Sequence, residues 1–205
     1  KLFVARAAVG EWDAVVVTES VFERIPLAPA TEARFIERQV TELREASARF
    51  EATMGRRSRT VKDIELRALK LEQRHKTLLH RADKDDGATF EQLGVDYLLV
   101  DEAHHAKNLG ISTRLQGLGK KGSGYAAQLD IRLDWLRERF GSKVLTLSTA
   151  TPIANSLSEM WVMQHYARPD RLEAAGVGPF DAWASNFAAQ VTRLDAPVAS
   201  AFTWH

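Results

Sequence analysis

The stretch VDYLLVDEAHHAKNL, residues 95–109, joins a short apolar run to two adjacent carboxylates and two adjacent histidines. Its apolar part is typical of a buried strand. Burying an unpaired carboxylate costs several kcal/mol, so we expect a strongly positive group beside Asp101 and Glu102. The alternative is an ordinary solvated turn that carries two acids.

The composition indicates a globular protein. Of the 205 residues, 45% are hydrophobic and 27% are charged, which is enough for a substantial core. There is no cysteine and no apolar run of membrane-spanning length, so we expect a cytoplasmic protein without disulfides and without a membrane partner. The net charge of +1 indicates no particular partner. The opening residues KLFVARAAVGEW lack an initiator Met and a signal-peptide layout, so we expect the chain to be part of a longer protein.

The first half of the chain predicts one strand and two long helices. The strand is expected over WDAVVVTES, residues 12–20. Thr31 is placed to cap the first helix, GRRSR (55–59) interrupts it, and Thr60 with Asp63 resembles a capping box that starts the second. Two such helices joined by a short turn predict an antiparallel hairpin. Their apolar stripes consist of Ile36, Val40, Leu43, Phe50 and Met54, then Val61, Ile64, Ala68, Leu71, His75 and Leu78.

The second half alternates strands with helices. Residues 95–100 and 143–148 are predicted strands, 125–140 are a predicted helix that Gly141 ends, and another helix begins near Ser156. This alternation predicts an α/β fold with a parallel sheet flanked by helices. The apolar side of the 125–140 helix is formed by Leu129, Leu133, Leu136 and Phe140.

Polar residues follow both of these strands, at 101–105 and 148–155. In parallel α/β sheets, ligands bind beyond the carboxyl ends of the strands. A strand that ends in Asp-Glu can present Asp101 to a magnesium ion carrying a nucleoside triphosphate, while Glu102 orients and deprotonates the attacking water. Zinc binding by the two histidines is a weaker alternative, because neighbouring side chains diverge and no cysteine or suitably spaced third ligand accompanies them.

Two motifs carry a family resemblance. LLVDEAH (98–104) matches the DEAD/DEAH-box form of the Walker B motif. TATPIANSLSEMW (149–161) resembles the T-G-T-P-x-x-N-x-x-x-E-L-W signature of the Swi/Snf-like branch of superfamily-2 helicases, and it contains a Ser/Thr-Ala-Thr form of helicase motif III. The resemblance covers roughly residues 12–29 and 94–190. It implies a partial RecA-like (P-loop NTPase) first motor lobe of a nucleic-acid-dependent ATPase, a helicase or double-strand DNA translocase that uses ATP and Mg²⁺.

The resemblance also implies roles for single residues. Asp101 would hold the metal, Glu102 would activate water, and His104 would contact the motif III segment that couples the phosphate site to nucleic acid. In a weaker match, Thr18 and Ser20 would donate hydrogen bonds to nucleic-acid phosphates. The coupling residues of motif III would be Ser148, Thr149, Ala150 and Thr151.

Two departures from the motif indicate which members of the family the chain resembles. Ala150 stands where chromatin remodellers usually have Gly, and Ala154 where they often have Gln. We therefore expect a bacterial, phage or plasmid helicase, similar in layout to the helicase part of very large proteins that also carry a DNA adenine methyltransferase. For Asn155, Ser156 and Trp161, a helix cap and a core position are an alternative to a functional role.

The sequence lacks a G-x-x-x-x-G-K-[ST] motif. GLGKKGSG (117–124) has Lys121 where Ser or Thr is needed, and it follows no strand. In the family, a P-loop precedes the stretch matched at 12–20, and a second lobe follows with an arginine finger. We expect the parent protein to be an ATPase that works on DNA, or alternatively RNA, together with that second lobe, and this chain alone to be inactive.

These observations predict two units: a partial helicase lobe formed by residues 1–29 and 84–205, and an inserted helical hairpin, 30–83. The basic hairpin tip is a candidate site for phosphates or for an acidic patch on a partner, with an ordinary solvated turn as the alternative. If the hairpin docks a protein instead, the chain is a non-catalytic interaction module. The tip carries Arg56, Arg57 and Arg59.

Overall fold

The fold comes from a computed structural model that describes residues 2–55, 59–81, 88–111, 113 and 122–188. The described chain is mostly helical, with a two-stranded parallel sheet. The helices are α1 (Leu2–Val9), α2 (Glu19–Arg24), α3 (Pro29–Met54), α4 (Arg59–Arg81), α5 (Gly124–Phe140), α6 (Leu157–Ala167), α7 (Pro169–Ala174) and α8 (Phe180–Phe187). The strands are β1 (Leu98–Val100) and β2 (Leu145–Leu147), and short 3₁₀ helices occur at Phe90–Leu93 and Ala103–Ala106. Among the described residues, no helix combines the length and the apolar character that crossing a bilayer requires.

The two strands form a parallel pair, and α5 lies between them in sequence. Leu98 is opposite Leu145 and Val100 is opposite Leu147. The backbone N–H of Ser148 continues the ladder by donating to the carbonyl oxygen of Val100 at 2.9 Å. The predicted parallel α/β arrangement is therefore confirmed at the level of this small sheet. Both strands are shorter than predicted: β1 ends at residue 100 as expected but begins at Leu98, and β2 spans Leu145–Leu147 within the predicted 143–148.

The main core lies on one face of the sheet. Val100 is buried against it, whereas Leu99, on the opposite face, is 78% exposed. Three leucines of α5 are completely buried, as the helical periodicity predicts: Leu129, Leu133 and Leu136. Phe140, the last residue of the helix, is 46% exposed and packs edge-on against Trp135.

Helices α3 and α4 pack against each other. Phe50 of α3 forms a small apolar cluster with Val61 and Ile64 of α4, and ion pairs join Arg44 to Glu72 and Arg74 to Glu32. Each pair joins one residue of α3 to one of α4. Of the predicted stripes, Leu43 and Phe50 of α3 and Val61 and Ile64 of α4 lie in this cluster.

The start of α3 differs from the prediction. Thr31 was expected to cap the helix, but the helix begins two residues earlier, at Pro29. Proline suits the first helical position because it has no N–H to leave unsatisfied and its φ is already helical. The carboxylate of Glu91 accepts hydrogen bonds from the N–H of Ala28, at 3.0 and 2.9 Å, and so takes part in fixing this end of the helix.

The strand predicted over residues 12–20 is absent. Residues 11–18 form no regular element, and α2 begins at Glu19. Val16 is 96% exposed and Val15 is 46% exposed. Within the described chain, β1 pairs with β2 alone, so this β-branched run has no neighbouring strand to complete its hydrogen bonds.

A buried arginine attaches α2 to the core. The guanidinium of Arg132, on α5, donates to the carbonyl oxygens of Phe22 at 3.2 Å and of Ile25 at 2.6 Å, and it stacks on the rings of Phe22 and Phe90. Its side chain is fully buried, and burial lowers its pKa from 12.5 to about 10. The end of α2 is therefore fixed by hydrogen bonds to its carbonyl groups.

Candidate functional site

The turn that follows β1 exposes both carboxylates. Asp101 and Glu102 are exposed, whereas Ala103 and Ala106 in the next 3₁₀ helix are completely buried and anchor the turn. Among the described residues, Glu102 is the only one other than glycine with positive φ, at 50°. This left-handed conformation costs about 1–2 kcal/mol for a residue with a Cβ atom. The turn thus holds the Glu102 carboxylate in a direction that a relaxed backbone would not give it.

The turn after β1 lies directly beside the loop after β2. The N–H of Ala103 donates to the carbonyl oxygen of Ser148 at 2.9 Å. In the same loop, Thr149 Oγ1 accepts a hydrogen bond from the N–H of Thr151 at 3.1 Å, and Ala150 is exposed. The two polar segments predicted from sequence to lie at strand ends therefore meet at one edge of the sheet.

His104 bridges the two segments through one ring nitrogen. Its Nδ1 lies 3.0 Å from Glu102 Oε2 and 3.4 Å from Thr149 Oγ1. A protonated Nδ1 donates to the carboxylate, whereas an unprotonated Nδ1 accepts from the threonine hydroxyl. Glu102 and Thr149 therefore compete for the same atom, and the shorter distance favours Glu102.

A buried ion pair joins the same two segments further from the solvent. Lys107 Nζ lies 3.2 Å from Glu159 Oε2, and the two side chains are 9% and 1% exposed. The same carboxylate oxygen accepts from the N–H of Ala154 at 2.8 Å and of Asn155 at 3.1 Å. Burial by itself would raise the pKa of Glu159, but the two backbone N–H groups and Lys107 outweigh it and lower the pKa to about 2.

The predicted nucleic-acid residues near α2 also lie close to the acidic turn. Thr18 Oγ1 and Ser20 Oγ are 3.2 Å apart, and Glu19, between them, has its Oε1 2.5 Å from Nδ1 of His105. The rings of His104 and His105 contact each other edge to face at 4.2 Å. This chain of contacts connects the start of α2 to the carboxylates after β1.

Some predicted site residues fall outside this cluster. Arg56 and Arg57 lie outside the described residues, and Arg59 is the first residue of α4. Ser156 caps α6 by accepting from the N–H of Ser158 at 3.3 Å, and Trp161 is buried with its Nε1 donating to Gly178. For Ser156 and Trp161 the structure therefore shows a cap and a core position.

The donor set of the turn suits a magnesium ion that also binds phosphate. Asp101 Oδ1 accepts from the N–H of Glu102 at 3.0 Å, and no basic side chain of the described residues pairs with Asp101. No group of three or more potential ligands occurs in the part of the chain that the structure describes. One or two carboxylates with water and phosphate oxygens are the usual environment of Mg²⁺ in nucleotide enzymes, so Asp101 fits this role.

Sequence reasoning missed the contacts of Lys107, His105 and Tyr166. Nothing in the sequence around Lys107 indicates that its amine is buried. A signal for Glu159 was present, because Ser156 and Glu159 have the S-x-x-E spacing of a capping box. In the structure this glutamate reaches beyond the cap to the preceding loop.

The depressed pKa of Glu159 predicts a stability term that depends on pH. The ionised form is favoured in the folded chain, so the term is present above pH 4.5, the usual pKa of the group, and is lost as the pH falls towards 2. In urea unfolding, the stability difference between wild type and Glu159→Gln should shrink by about 2 kcal/mol from pH 6 to pH 3. A difference that stays constant over this range would contradict the assignment.

Comparison with known proteins places the chain in a family. A family model described as "Probable helicase domain" matches residues 2–203, nearly the whole chain. Searches among curated proteins and among solved structures gave no significant match. Because the match extends over far more than half of the sequence, the chain belongs to the family described as "Probable helicase domain".

Proposed function

We propose that this chain is part of the first, RecA-like motor lobe of a nucleic-acid-dependent ATPase, a helicase or double-strand DNA translocase of the Swi/Snf-like branch. In this proposal residues 1–29 and 84–205 belong to the lobe, and 30–83 are an inserted helical hairpin. The supporting observation is the contact between the two strand ends, where Ala103 donates to Ser148 and His104 approaches Thr149. The family match is consistent with this function.

In this mechanism the turn after β1 acts on a nucleoside triphosphate. Asp101 would hold Mg²⁺, which supplies positive charge that neutralises the phosphate groups during transfer. The exposed carboxylate of Glu102 would orient the attacking water and accept its proton. Glu102 has a left-handed backbone, and its Oε2 lies 3.0 Å from Nδ1 of His104.

His104 supplies the link from this chemistry to the neighbouring loop. When Glu102 accepts a proton or turns towards water, its hold on Nδ1 of His104 weakens. The N–H at Nδ1 is then free to donate to Thr149 Oγ1, which also accepts a hydrogen bond from the N–H of Thr151. The state of the phosphate site thereby changes the hydrogen bonding of the segment from Ser148 to Thr151.

The nucleic acid would lie near the start of α2. Thr18 and Ser20 carry hydroxyls that can donate to phosphate oxygens, and Glu19 connects them to His105. DNA is the proposed polymer, with RNA as the alternative, and a second lobe of the parent chain would close over the nucleotide. These contacts put the proposed polymer site and the acidic turn within one connected group of side chains.

The metal role of Asp101 can be tested with Mn²⁺, which prefers the same oxygen ligands as Mg²⁺. In NMR spectra of the chain, Mn²⁺ should broaden the amide signals of residues 101–103 and 148–150 together, because these segments are hydrogen-bonded neighbours. Asp101→Asn should remove the effect, and Asp96→Asn, which changes an exposed acid ahead of β1, should not. Equal broadening in wild type and Asp101→Asn would refute the metal site.

Hydrolysis by this chain alone is not expected. The sequence has no phosphate-binding P-loop. In this class of enzyme an arginine finger by itself raises the rate by about 10³–10⁵-fold. An ATPase assay with Mg²⁺ and duplex DNA should therefore give no turnover above the buffer blank. Turnover well above the blank that disappears in Glu102→Gln would show that this expectation is wrong.

A second candidate function is a non-catalytic interaction module that acts through α3 and α4. Its support is the outer surface of α4, where Leu66 and Leu69 are 55% and 54% exposed beside the exposed side chains of Lys62 and Lys70. Exposed leucines among lysines suit a protein surface better than a nucleic acid, whose outer surface is charged. A protein partner with acidic and apolar side chains would match this surface.

Gel-shift titration separates these two uses of the α3–α4 pair. If three tip arginines contact phosphates, affinity for duplex DNA should fall about 40-fold between 50 and 200 mM salt. Each phosphate contact lowers the logarithm of the affinity by about 0.9 for every tenfold rise in salt. Reversing Arg56, Arg57 and Arg59 to glutamate should abolish this binding. The matched control reverses three exposed cations elsewhere, Arg139, Lys143 and Arg171, and should retain most of it. Unchanged affinity in the tip variant would exclude the tip as the DNA site.

A further inference from the structure

The ion pair between Lys107 and Glu159 is buried, although a solvated ion pair would avoid the free-energy cost of desolvation. Taking two charges out of water costs several kcal/mol, and their attraction repays this only with good geometry and further hydrogen bonds. One oxygen of Glu159 contacts three groups at once: the amine of Lys107 and the N–H groups of Ala154 and Asn155. The Glu159 carboxylate therefore connects the Lys107 amine to two backbone N–H groups.

The three groups belong to the two loops of the candidate site. Lys107 directly follows the 3₁₀ helix of the acidic turn, and Ala154 and Asn155 belong to the loop after β2. Both of these loop residues are exposed, whereas the carboxylate that accepts from their N–H groups is 1% exposed. Glu159 therefore connects an exposed loop to a buried acceptor, and these hydrogen bonds set the position of the loop.

Helix α6 supplies a second contact to the same turn. Tyr166, fully buried, shares its hydroxyl proton between the carbonyl oxygens of Ala106 and Ala126, each at 3.1 Å. Glu159 and Tyr166 are seven residues apart and so lie on one face of the helix. Through these two side chains, α6 contacts both Ala106 and Lys107, and it also holds the loop after β2.

We propose that Lys107 and Glu159 are positioning residues that keep the acidic turn and the motif III loop in register, so that a displacement of one loop is passed to the other through α6. The inference rests on the proposed function. In this proposal the pair contacts neither nucleotide, metal nor nucleic acid. The Lys107 amine instead sets the distance between Asp101 and the loop at Thr149.

The test compares Mn²⁺ broadening in wild type and Lys107→Met, which keeps the aliphatic length of the side chain and removes the charge. Relative to the signals of residues 101–103, broadening at residues 149–151 should fall by about 1.5-fold or more, because paramagnetic broadening decreases with the sixth power of distance and functional sites are held to within about 0.5 Å. Lys107→Arg, which keeps a cationic donor, should restore the wild-type ratio.

Amide hydrogen exchange gives a readout that needs no metal. In Lys107→Met, and in Glu159→Gln should the first variant fold poorly, the amides of Ala154 and Asn155 should exchange about tenfold faster, as expected for about 1.4 kcal/mol of lost hydrogen bonding. The matched control is Asp130→Asn, which removes the negative charge that faces His165 on α6 without changing Lys107 or Glu159. This control should leave the two loop amides unchanged.

The outcomes separate the two proposals. If Mn²⁺ does not affect the signals around Asp101 in wild type, the metal site fails, and the exchange of Ala154 and Asn155 alone decides on positioning. If wild type responds and Lys107→Met gives the same broadening ratio and the same exchange, the positioning inference is overturned. A loss of global stability with both local readouts unchanged also overturns it, because it shows a purely structural pair.

Discussion

The parallel pairing of β1 with β2 is the constraint on which the candidate site depends. Parallel strands end on the same side of a sheet, so whatever follows each strand arrives at a common edge. Here the ladder runs on past the strands, with Ser148 donating to Val100 and Ala103 donating to Ser148. These bonds hold the first residues of both loops in contact. The side-chain contact of His104 with Thr149 joins residues that directly follow these hydrogen-bonded positions.

Local periodicity and strand-end logic predicted much of this arrangement. The buried leucines of α5, its end at Gly141 and the start of α6 near Ser156 follow from patterns within one or two turns of chain. The meeting of residues 101–105 with 148–155 needed one further step, the inference of a parallel sheet. Each of these depends on short-range chemistry or on a general rule of topology, and so is accessible without coordinates.

The remaining features depend on partners far away in sequence. Val15 and Val16 have the composition of a strand, but strand formation requires a neighbouring strand, and the described chain provides none beside them. Lys107 resembles any loop lysine until Glu159, 52 residues later, is placed beside it. Glu102 was identified by its motif, whereas nothing in the sequence indicates its left-handed backbone, which lies just before the buried Ala103.

Buried charge in this chain is used to hold loops and helix ends. Arg132 donates to the carbonyl oxygens of Phe22 and Ile25, where α2 ends, and Glu159 accepts from backbone N–H groups where α6 is approached. An apolar side chain could fill either space at lower desolvation cost, but it could not bond to an unpaired backbone group. These backbone groups lie in segments that carry Thr18, Ser20 and residues 148–155, so the charged side chains fix the positions of polar segments against the core. Burying these charges costs desolvation free energy, but it fixes the backbone positions at the ends of the strands, where the proposed chemistry requires them.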